Sequence, residues 1–225
     1  TGAPKVLLIQ IDDKTKVYGD TNPAFTYTFL GGLQGADTLA GALTGYTLNA
    51  AGTSLTDNAG TTWAITGSFM TALGYTTNVI NGTMTVTKAP VLVQANAVSR
   101  AYGAANPTFT GNYIGLKNGE TFSVIDTLAT SSSTATLTSN VGTYNITSSG
   151  AVDNNYIFNY ANGTLTVTKA NLTVTADDKT REYGDANPAF TLSYSGFLNG
   201  DTSAVIDTAP TLATTAVATT SPSGV

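Results

Sequence analysis

An eleven-residue signature occurs three times in this chain and constrains its fold more than any other feature. Each copy holds a cation, then Tyr-Gly, then Asn-Pro, then Phe-Thr, at residues 16–26, 100–110 and 181–191. The Tyr-Gly pairs lie 84 and then 81 residues apart. A period near 80 residues is too long for one step of a solenoid and suits a small independent domain. The sequence therefore predicts a tandem array of small domains.

The signature residues favour a rigid corner between two strands. Gly tolerates positive φ, while Pro fixes its own φ and pushes the preceding Asn towards extended geometry. We expect the Tyr and Phe rings to pack this corner onto the core. The alternative is a ligand loop that displays Tyr, Asn and the cation. The signature positions are Tyr18, Gly19, Asn22, Pro23, Phe25, Tyr102, Gly103, Asn106, Pro107, Phe109, Tyr183, Gly184, Asn187, Pro188 and Phe190.

Alternating apolar residues predict a strand at the start of each repeat, at 6–11, 91–95 and 172–176. An acidic residue followed by Thr, at 35–38, 118–121 and 199–202, predicts a capped turn that opens a helical turn. Two strands are expected at 134–138 and 143–147. Residues 55–65 are expected to form a hairpin in which Trp63 packs into the core or its rim, with a sugar platform as the alternative.

The first and second repeats close in the same way. Alternating residues on both sides of Asn81-Gly82 and Asn162-Gly163 predict a closing hairpin in each. The closing strand runs through Lys-Ala into the next repeat with no flexible linker, so we expect a semi-rigid rod. The predicted boundaries are 1–87, 88–168 and 169–225. The third repeat lacks the equivalent of the final strands. We expect these strands to come either from a longer parent chain or from another chain that donates a strand.

Composition agrees with an all-β chain and restricts its partners. Charged residues make up 10% of the chain and Thr is abundant, which fits sheets better than helical bundles. With a net charge of −5 and no basic cluster, nucleic acid is not an expected partner. No apolar run approaches the ~20 residues that span a bilayer, so membrane insertion is not expected either.

The chain contains neither His nor Cys, which excludes a Ser-His-Asp triad and thiolate chemistry. The pairs Asp12-Asp13 and Asp177-Asp178 are adjacent in sequence, and adjacent strand residues point to opposite faces. We therefore expect no catalytic residues, no enzymatic activity and no cofactor. A calcium site is a weak alternative, because carboxylates can join backbone carbonyls near the repeat boundaries. Its candidate ligands are Asp13, Asp37, Asp178 and Asp201.

The Tyr-Gly-x-x-Asn-Pro-x-Phe signature, the Gly-Asp-Thr turn and the closing Asn-Gly-Thr-Leu-Thr-Val-Thr-Lys-Ala together resemble the MBG-type (YGX) repeats of large bacterial secreted and surface proteins. The resemblance covers essentially the whole chain and implies tandem small β-domains arranged end to end. Each would be an immunoglobulin-like sandwich, favoured here, or a β-grasp-like unit. The first repeat departs from the pattern where Ala36 replaces the turn Gly and where the Trp63 hairpin occurs.

The resemblance also implies a function and a location. Such repeats occur in extracellular, adhesin-like bacterial proteins, and the family has no catalytic residues to transfer. We expect a structural stalk or spacer segment of a surface adhesin or filament, which supports cell adhesion or matrix assembly. The alternative is a module that binds glycan or a host surface protein through loop Tyr and Asn residues. Expected partners are neighbouring repeats or other copies of the chain, with strand donation into the third repeat, and a glycan or cell-surface ligand under the alternative.

Overall fold

The computed structural model describes residues 2–52 and 54–217, and its regular structure is almost entirely short strands. The first repeat contains β1 (Lys5–Ile11), β2 (Lys14–Val17), β3 (Tyr27–Gly31), α1 (Leu39–Ala42), β4 (Leu43–Ala50), β5 (Thr62–Thr71), β6 (Tyr75–Ile80) and β7 (Gly82–Thr87). The second contains β8 (Ala89–Ala95), β9 (Val98–Ala101), β10 (Gly111–Ile114), β11 (Thr130–Ser133), β12 (Gly142–Ser149), β13 (Tyr156–Ala161) and β14 (Gly163–Thr168). The described part of the third contains β15 (Thr173–Ala176) and β16 (Leu192–Ser195).

The seven strands of the first repeat form two sheets, ordered β3-β1-β6 and β2-β7-β5-β4. The opening strands are parallel to the closing strands, β1 to β6 and β2 to β7, and the other pairs are antiparallel. Ile11 of the first sheet packs with Ile65 and Met84 of the second in one buried cluster. Two sheets that share a core form a sandwich. The helix in the described part of this repeat has four residues, too few to cover a sheet in the β-grasp manner.

The strands of the second repeat pair in the same order, in sheets ordered β10-β8-β13 and β11-β12-β14-β9. Its opening and closing strands are again parallel, β8 to β13 and β9 to β14. The fold is therefore all-β and tandem, as the sequence predicted. Each acidic turn opens a helical turn, as predicted, but the predicted cap is not formed in every copy. The Thr38 hydroxyl accepts a hydrogen bond from Gly41 N at 3.2 Å at the start of α1, whereas Thr121 makes no side-chain cap bond among the described residues. Short 3-10 turns follow the other two copies, at Phe122–Val124 and Ser203–Val205.

The predicted closing hairpins are wrong, because the two strands flanking each Asn-Gly belong to different sheets. β6 pairs with β1 in one sheet, whereas β7 pairs with β2 and β5 in the other. A type I′ hairpin turn needs positive φ, which Gly82 does not adopt. A Cβ on Gly82 would lie 2.7 Å from Ile11 O and 2.6 Å from Asp12 O. Gly is required there because the chain passes from one sheet to the other at both places, after β1 and after β6, and the two crossing segments lie too close together for a side chain.

Two further strand predictions need correction. Residues 134–138 are not a strand, since β11 ends at Ser133 and the segment is a turn whose carbonyls accept side-chain hydrogen bonds. Residues 55–61 are likewise a loop, and β5 begins at Thr62 and pairs with β4. Threonine-rich segments suit a strand by propensity, but here backbone groups are taken by the signature corner instead. The strand predicted at 143–147 is confirmed within β12.

The chain divides into two compact units that do not follow the repeats. The first comprises residues 1–96, 110–132 and 147–162, and the second comprises 97–109, 133–146 and 163–225. The first unit crosses a repeat boundary because Val86 of the first repeat shares a buried cluster with Val91 and Tyr156 of the second. The boundaries at 87 and 168 stay a prediction from the sequence.

Candidate functional site: the repeat junctions

The asparagine of every signature copy is bound to backbone. Its side-chain amide donates a hydrogen bond to a carbonyl of a later loop in the same repeat. The three bonds are Asn22 Nδ2 to Gly52 O at 2.9 Å, Asn106 Nδ2 to Ala135 O at 2.7 Å and Asn187 Nδ2 to Ala216 O at 2.8 Å. An amide committed to a backbone carbonyl ties two loops together, as the structural-corner interpretation predicts.

The signature cation also turns towards its own repeat. Lys16 is only 4% exposed, and its Nζ donates to Ser54 O at 2.8 Å and to Asp57 Oδ2 at 3.3 Å. Arg100 is buried and donates to the carbonyl of Thr136. Arg181 donates to Val217 O at 2.9 Å. The cation and the asparagine thus clamp the same loop, and in the first two copies the cation is buried.

Lysine and arginine satisfy this clamp differently. In the second repeat, Arg100 Nε donates to Asn106 Oδ1 at 2.6 Å, so the asparagine both donates and accepts. In the first repeat, Asn22 Oδ1 is buried and has no hydrogen-bond partner among the described residues. A lysine carries its donors only at the tip, whereas the arginine fork also offers Nε along its length. Among residues 2–52 and 54–217, the clamp of the first repeat therefore leaves this oxygen without a donor.

The signature tyrosine reaches the next repeat. At the first junction, defined as the contact between the first and second repeats, Tyr18 OH donates to Glu120 Oε1 at 2.6 Å. Tyr156 OH, from β13, donates to Glu120 Oε2 at 2.5 Å. Both tyrosines are buried, at 4% and 2% exposure, and their rings meet edge to face with centroids 5.5 Å apart. One carboxylate of the second repeat therefore receives a phenol from each repeat.

This arrangement changes the acidity of both phenols. Burial is the main cause and the hydrogen bond to Glu120 the next, and together they raise the pKa of Tyr156 above the usual value of 10.0. The same two causes raise the pKa of Tyr18. Loss of either proton would place a second negative charge beside the carboxylate. The first junction is consequently built for neutral phenols.

Glycine allows the two repeats of the first junction to approach closely. Gly19 has φ +82°, and a Cβ there would lie 2.4 Å from the Cβ of Lys117. Leu55 O accepts from Gly19 N at 3.1 Å and from Asn118 Nδ2 at 3.2 Å, so one carbonyl joins the two repeats. At the rim, Lys117 Nζ pairs with Asp20 Oδ1 at 2.8 Å.

The second junction, between the second and third repeats, repeats these contacts. Tyr102 OH donates to Asp201 Oδ2 at 2.9 Å. Leu137 O accepts from Gly103 N at 3.2 Å and from Asn199 Nδ2 at 3.1 Å. A Cβ on Gly103, whose φ is +79°, would lie 2.7 Å from Leu198 Cδ1. The same kinds of group therefore form both junctions: a tyrosine hydroxyl, a carboxylate, a leucine carbonyl, a glycine and an asparagine amide.

The remaining tyrosine and the remaining acidic turn have different surroundings. Tyr183 is 67% exposed. Asp37 Oδ2 accepts from Tyr75 OH at 2.8 Å and from Lys5 Nζ at 3.0 Å, and the tyrosine bond followed by the lysine bond lowers the pKa of this carboxyl. Tyr75 corresponds to Tyr156, so the bond from this tyrosine to the acidic turn of its own repeat occurs in both repeats. The second donor differs, because Asp37 accepts from Lys5 whereas Glu120 accepts from Tyr18.

The signature that builds these junctions also defines the family. The sequence profile of the MBG domain (YGX type) matches residues 7–85, 91–166 and 172–225. The chain belongs to this family. A comparison with curated proteins gave no match. The three MBG matches correspond to the three signature copies and confirm the tandem array.

The candidate calcium ligands of these MBG repeats serve mainly as hydrogen-bond acceptors. Asp13 Oδ1 accepts from Thr83 N at 2.7 Å, where the opening and closing strands change sheet, while Asp37 and Asp201 accept tyrosine hydroxyls. No hydrogen bond or ion pair involves the Asp178 side chain within residues 2–52 and 54–217. Over the same residues, no three His, Cys, Asp or Glu side chains form a group that could hold a metal. Calcium binding stays a prediction for measurement.

The adjacent aspartates of the MBG repeats stabilise strands. Asp12 Oδ1 accepts from Thr28 Oγ1 at 2.9 Å, and Asp12 Oδ2 accepts from Thr26 Oγ1; these bonds lower the pKa of the Asp12 carboxyl. Asp177 accepts in the same way from Thr191 and Ser193, each at 2.5 Å, which lowers its pKa. Asp12 and Asp13 lie between β1 and β2, not within a strand as the sequence interpretation assumed, and their two carboxylates bind different partners.

Trp63 is half-buried and packs against two buried clusters, one that contains Val86 and one that contains Ile65 and Met84. A Cβ on Gly52 would lie 2.2 Å from its indole ring, so the ring is covered on that side. This agrees with the predicted core or rim packing. No helix among the described residues is long and apolar enough to cross a membrane.

Sequence reasoning missed the receiving half of each MBG junction. It placed Glu120 and Asp201 in a capped turn without assigning them a partner. It also did not identify Asn118 and Asn199, which adopt φ +54° and +53°. A signal was present, because an Asn-Gly pair stands immediately before the acidic residue in the second and third repeats, whereas the first has Gly35-Ala36. Asn is the residue other than Gly that best tolerates this conformation.

Proposed function

We propose that this MBG array is a stalk or spacer segment of an extracellular bacterial adhesin or surface filament, and that it supports cell adhesion or matrix assembly without catalysing a reaction. The observation that carries the proposal is the commitment of the signature to the junctions. Tyr18 and Tyr102 each donate to an acidic turn of the following repeat, and their glycines permit the approach. Signature residues that hold neighbouring repeats together support a structural role for the array.

The junction contacts also support a stiff connection. Lys88 alone separates β7 from β8, and the hydroxyls of Tyr18 and Tyr156, one from each repeat, donate to the same carboxylate at the first junction. A spacer needs such stiffness to hold a distant part of its protein away from a surface, since a flexible linker collapses towards a random coil. Location at the cell surface follows from the family resemblance and is part of the proposal.

Spin-label distances test this proposal. The chain has no native cysteine, so Thr47→Cys and Thr127→Cys, both at exposed positions in the first and second repeats, allow one defined label pair. We expect a narrow distance distribution that Glu120→Ala broadens. Tyr183→Phe is the matched control, because the same signature residue is exposed there and should leave the distribution unchanged. A broad distribution in the unmodified chain would contradict the spacer role.

The alternative role is recognition of glycan or host protein through loop tyrosines and asparagines. The asparagines of all three signature copies are bound to backbone, which leaves Tyr183 as the exposed signature tyrosine. Binding of the chain to a glycan or host-protein array, abolished by Tyr183→Ala, would favour the alternative over the spacer.

A further inference from the structure

The backbone of the signature corner is the same at both junctions, so the residue after its glycine starts from the same place. Asp20 N donates to Val17 O at 3.0 Å, and Ala104 N donates to Ala101 O at 3.2 Å. Each bond closes a turn around the Tyr-Gly pair. Asp20 and Ala104 therefore hold one equivalent position, the corner position, with a carboxylate in one copy and a methyl group in the other.

The acidic turn that receives each corner also has the same backbone in both repeats. Glu120 N donates to Lys117 O at 2.8 Å, and Asp201 N donates to Leu198 O at 2.9 Å. Lys117 and Leu198 thus hold a second equivalent position, the turn position. Because the backbone recurs on both sides, the side chains at the corner and turn positions distinguish the rim of one junction from the rim of the other.

The side chain at the turn position covers the glycine of the facing corner with carbon atoms. A Cβ on Gly19 would lie 2.6 Å from Lys117 Cγ, and a Cβ on Gly103 would lie 2.9 Å from Leu198 Cβ. The lysine does this with its alkyl stem, and its tip extends further to place Nζ 2.8 Å from Asp20 Oδ1. Leu198 ends in methyl groups and meets a corner whose turn carries no charge.

A wrong pairing would lose part of this fit. If the first corner met the turn of the third repeat, the Asp20 carboxylate would face Leu198 with no cation and lie near the carboxylate of Asp201. If the second corner met the second-repeat turn of another copy, the ammonium of Lys117 would face the methyl group of Ala104. Unpaired and like charges at a contact select against a partner, even where the matched pair adds little affinity.

Selection is the effect expected of this ion pair, because the side chains of Lys117 and Asp20 are 33% and 48% exposed and such pairs add little stability. Selection is also needed. Neighbouring domains of similar sequence misassemble because a surface of one fits several others. The tyrosine, glycine and asparagine contacts recur at both junctions, so they do not distinguish the turn of the second repeat from that of the third.

We propose that the corner and turn positions form a pairing code that specifies which acidic turn each signature corner accepts. Asp20 selects a turn with lysine, and Ala104 selects a turn with leucine. The code keeps the repeats in order along the array and keeps other copies of the chain out of the junctions. It rests on the docking contacts that also carry the proposed spacer function, and it adds selection among repeats.

Two variants of the full chain test the code. The uniform variant, Ala104→Asp with Leu198→Lys, gives both junctions the Asp-Lys pair. The exchanged variant adds Asp20→Ala and Lys117→Leu, so its junctions still differ and its composition is that of the unmodified chain. After dilution from urea, we expect up to about 5-fold more misassembled dimer from the uniform variant, the factor that corresponds to the upper range for an exposed ion pair. The exchanged variant should refold like the unmodified chain.

Sedimentation velocity over a concentration series measures the dimer fraction of all three chains. Equal fractions in the uniform and exchanged variants would overturn the code, since only the uniform variant removes the distinction between junctions. Circular dichroism before unfolding shows that each variant is folded. Both positions lie on the exposed or partly exposed rim, so these substitutions leave the core of each repeat intact.

A second experiment measures the mismatch at the first junction directly. Ala59 N donates to Asn155 Oδ1 at 2.9 Å across this junction, so exchange of that amide hydrogen reports its opening. Exchanging the corner positions alone, Asp20→Ala with Ala104→Asp, should speed this exchange up to about 5-fold. Exchanging the turn positions as well should restore the original rate. A rate that stays fast after both exchanges would overturn the code.

These results are separable from the spacer role. A broad spin-label distribution in the unmodified chain would contradict the spacer, while a difference between the uniform and exchanged variants would still support the code. A narrow distribution together with equal dimer fractions would overturn the code alone.

Discussion

The two junctions share their docking contacts and differ in the carboxylate that receives them. In both, a glycine at positive φ brings the repeats together, and a leucine carbonyl accepts one backbone and one side-chain donor. Glu120 receives phenols from both repeats, whereas Asp201 receives one within the described residues. The recurring signature therefore determines how closely the two repeats approach, and a tyrosine from the closing strand of the following repeat supplies the second hydrogen bond to the carboxylate.

The difference also locates the stronger junction. At the first junction two buried rings and two hydrogen bonds meet at one carboxylate, so disruption exposes several groups at once. Buried polar groups that share a network are costly to leave unsatisfied. We expect equal substitutions to have larger effects at the first junction than at the second.

The largest effect is expected from Gly19→Ala. The change combines an unfavourable φ with a Cβ placed 2.4 Å from the Cβ of Lys117, and should lower the free energy of unfolding by about 3 kcal/mol. Trp63, the sole tryptophan, packs against the cluster of the first junction, so its fluorescence during urea unfolding reports the loss.

Two further glycine variants control for backbone strain. Gly103→Ala should act on the second junction, seen by circular dichroism with a smaller change in Trp63 fluorescence. Gly184→Ala has φ +90° but no heavy atom within 4 Å of the added Cβ, so only the strain of about 1 kcal/mol remains. Equal destabilisation by all three would show that close approach at the junctions contributes nothing.

The next effect compares Glu120→Gln with Asp201→Asn. A glutamine offers one oxygen where two phenols donate, so one buried hydroxyl loses its acceptor at a cost of about 2 kcal/mol. An asparagine at 201 still accepts from Tyr102, and we expect a loss of about 0.5 kcal/mol. Urea midpoints measured by circular dichroism give both values. A loss at 201 as large as that at 120 would contradict the two-phenol account.

A smaller effect is expected from exchanging the clamp cations. Lys16→Arg supplies an Nε donor to Asn22 Oδ1 and should raise the free energy of unfolding by about 1 kcal/mol. Arg100→Lys removes the bond to Asn106 Oδ1 and should lower it by about 1 kcal/mol. Thermal unfolding of both variants provides the comparison. Changes of the same sign would show that the asparagine oxygen does not decide the preference.

The smallest effect is alkaline weakening of the first junction. The pKa values of Tyr18 and Tyr156 are raised in the folded chain, so their contribution to stability is complete below pH 10 and declines as the pH rises towards the folded values. Absorbance of the ionised phenol at about 295 nm should show a late fraction among the 11 tyrosines. Tyr18→Phe and Tyr156→Phe should each reduce that fraction, and an unchanged titration curve would be evidence against the buried hydrogen bonds.

Sequence reasoning recovered what depends on local chemistry and repetition. The corner at Gly19, the helical turn after Thr38 and the strand β1 follow from residue preferences within a few positions. The Asn81-Gly82 prediction was wrong because the parallel pairing of β6 with β1 is set by residues about 70 positions away, and a local turn signal does not contain it. The bond from Tyr18 to Glu120 joins residues 102 positions apart, so only the folded chain reveals it.

The parallel pairing of opening and closing strands has a mechanical consequence. In the first repeat, β1 with β6 and β2 with β7 join the segment nearest one end to the segment nearest the other. Tension applied between those ends runs along the strands, so it loads the hydrogen bonds of a ladder together in shear instead of opening them one after another. Force spectroscopy should therefore record one abrupt rupture for this repeat.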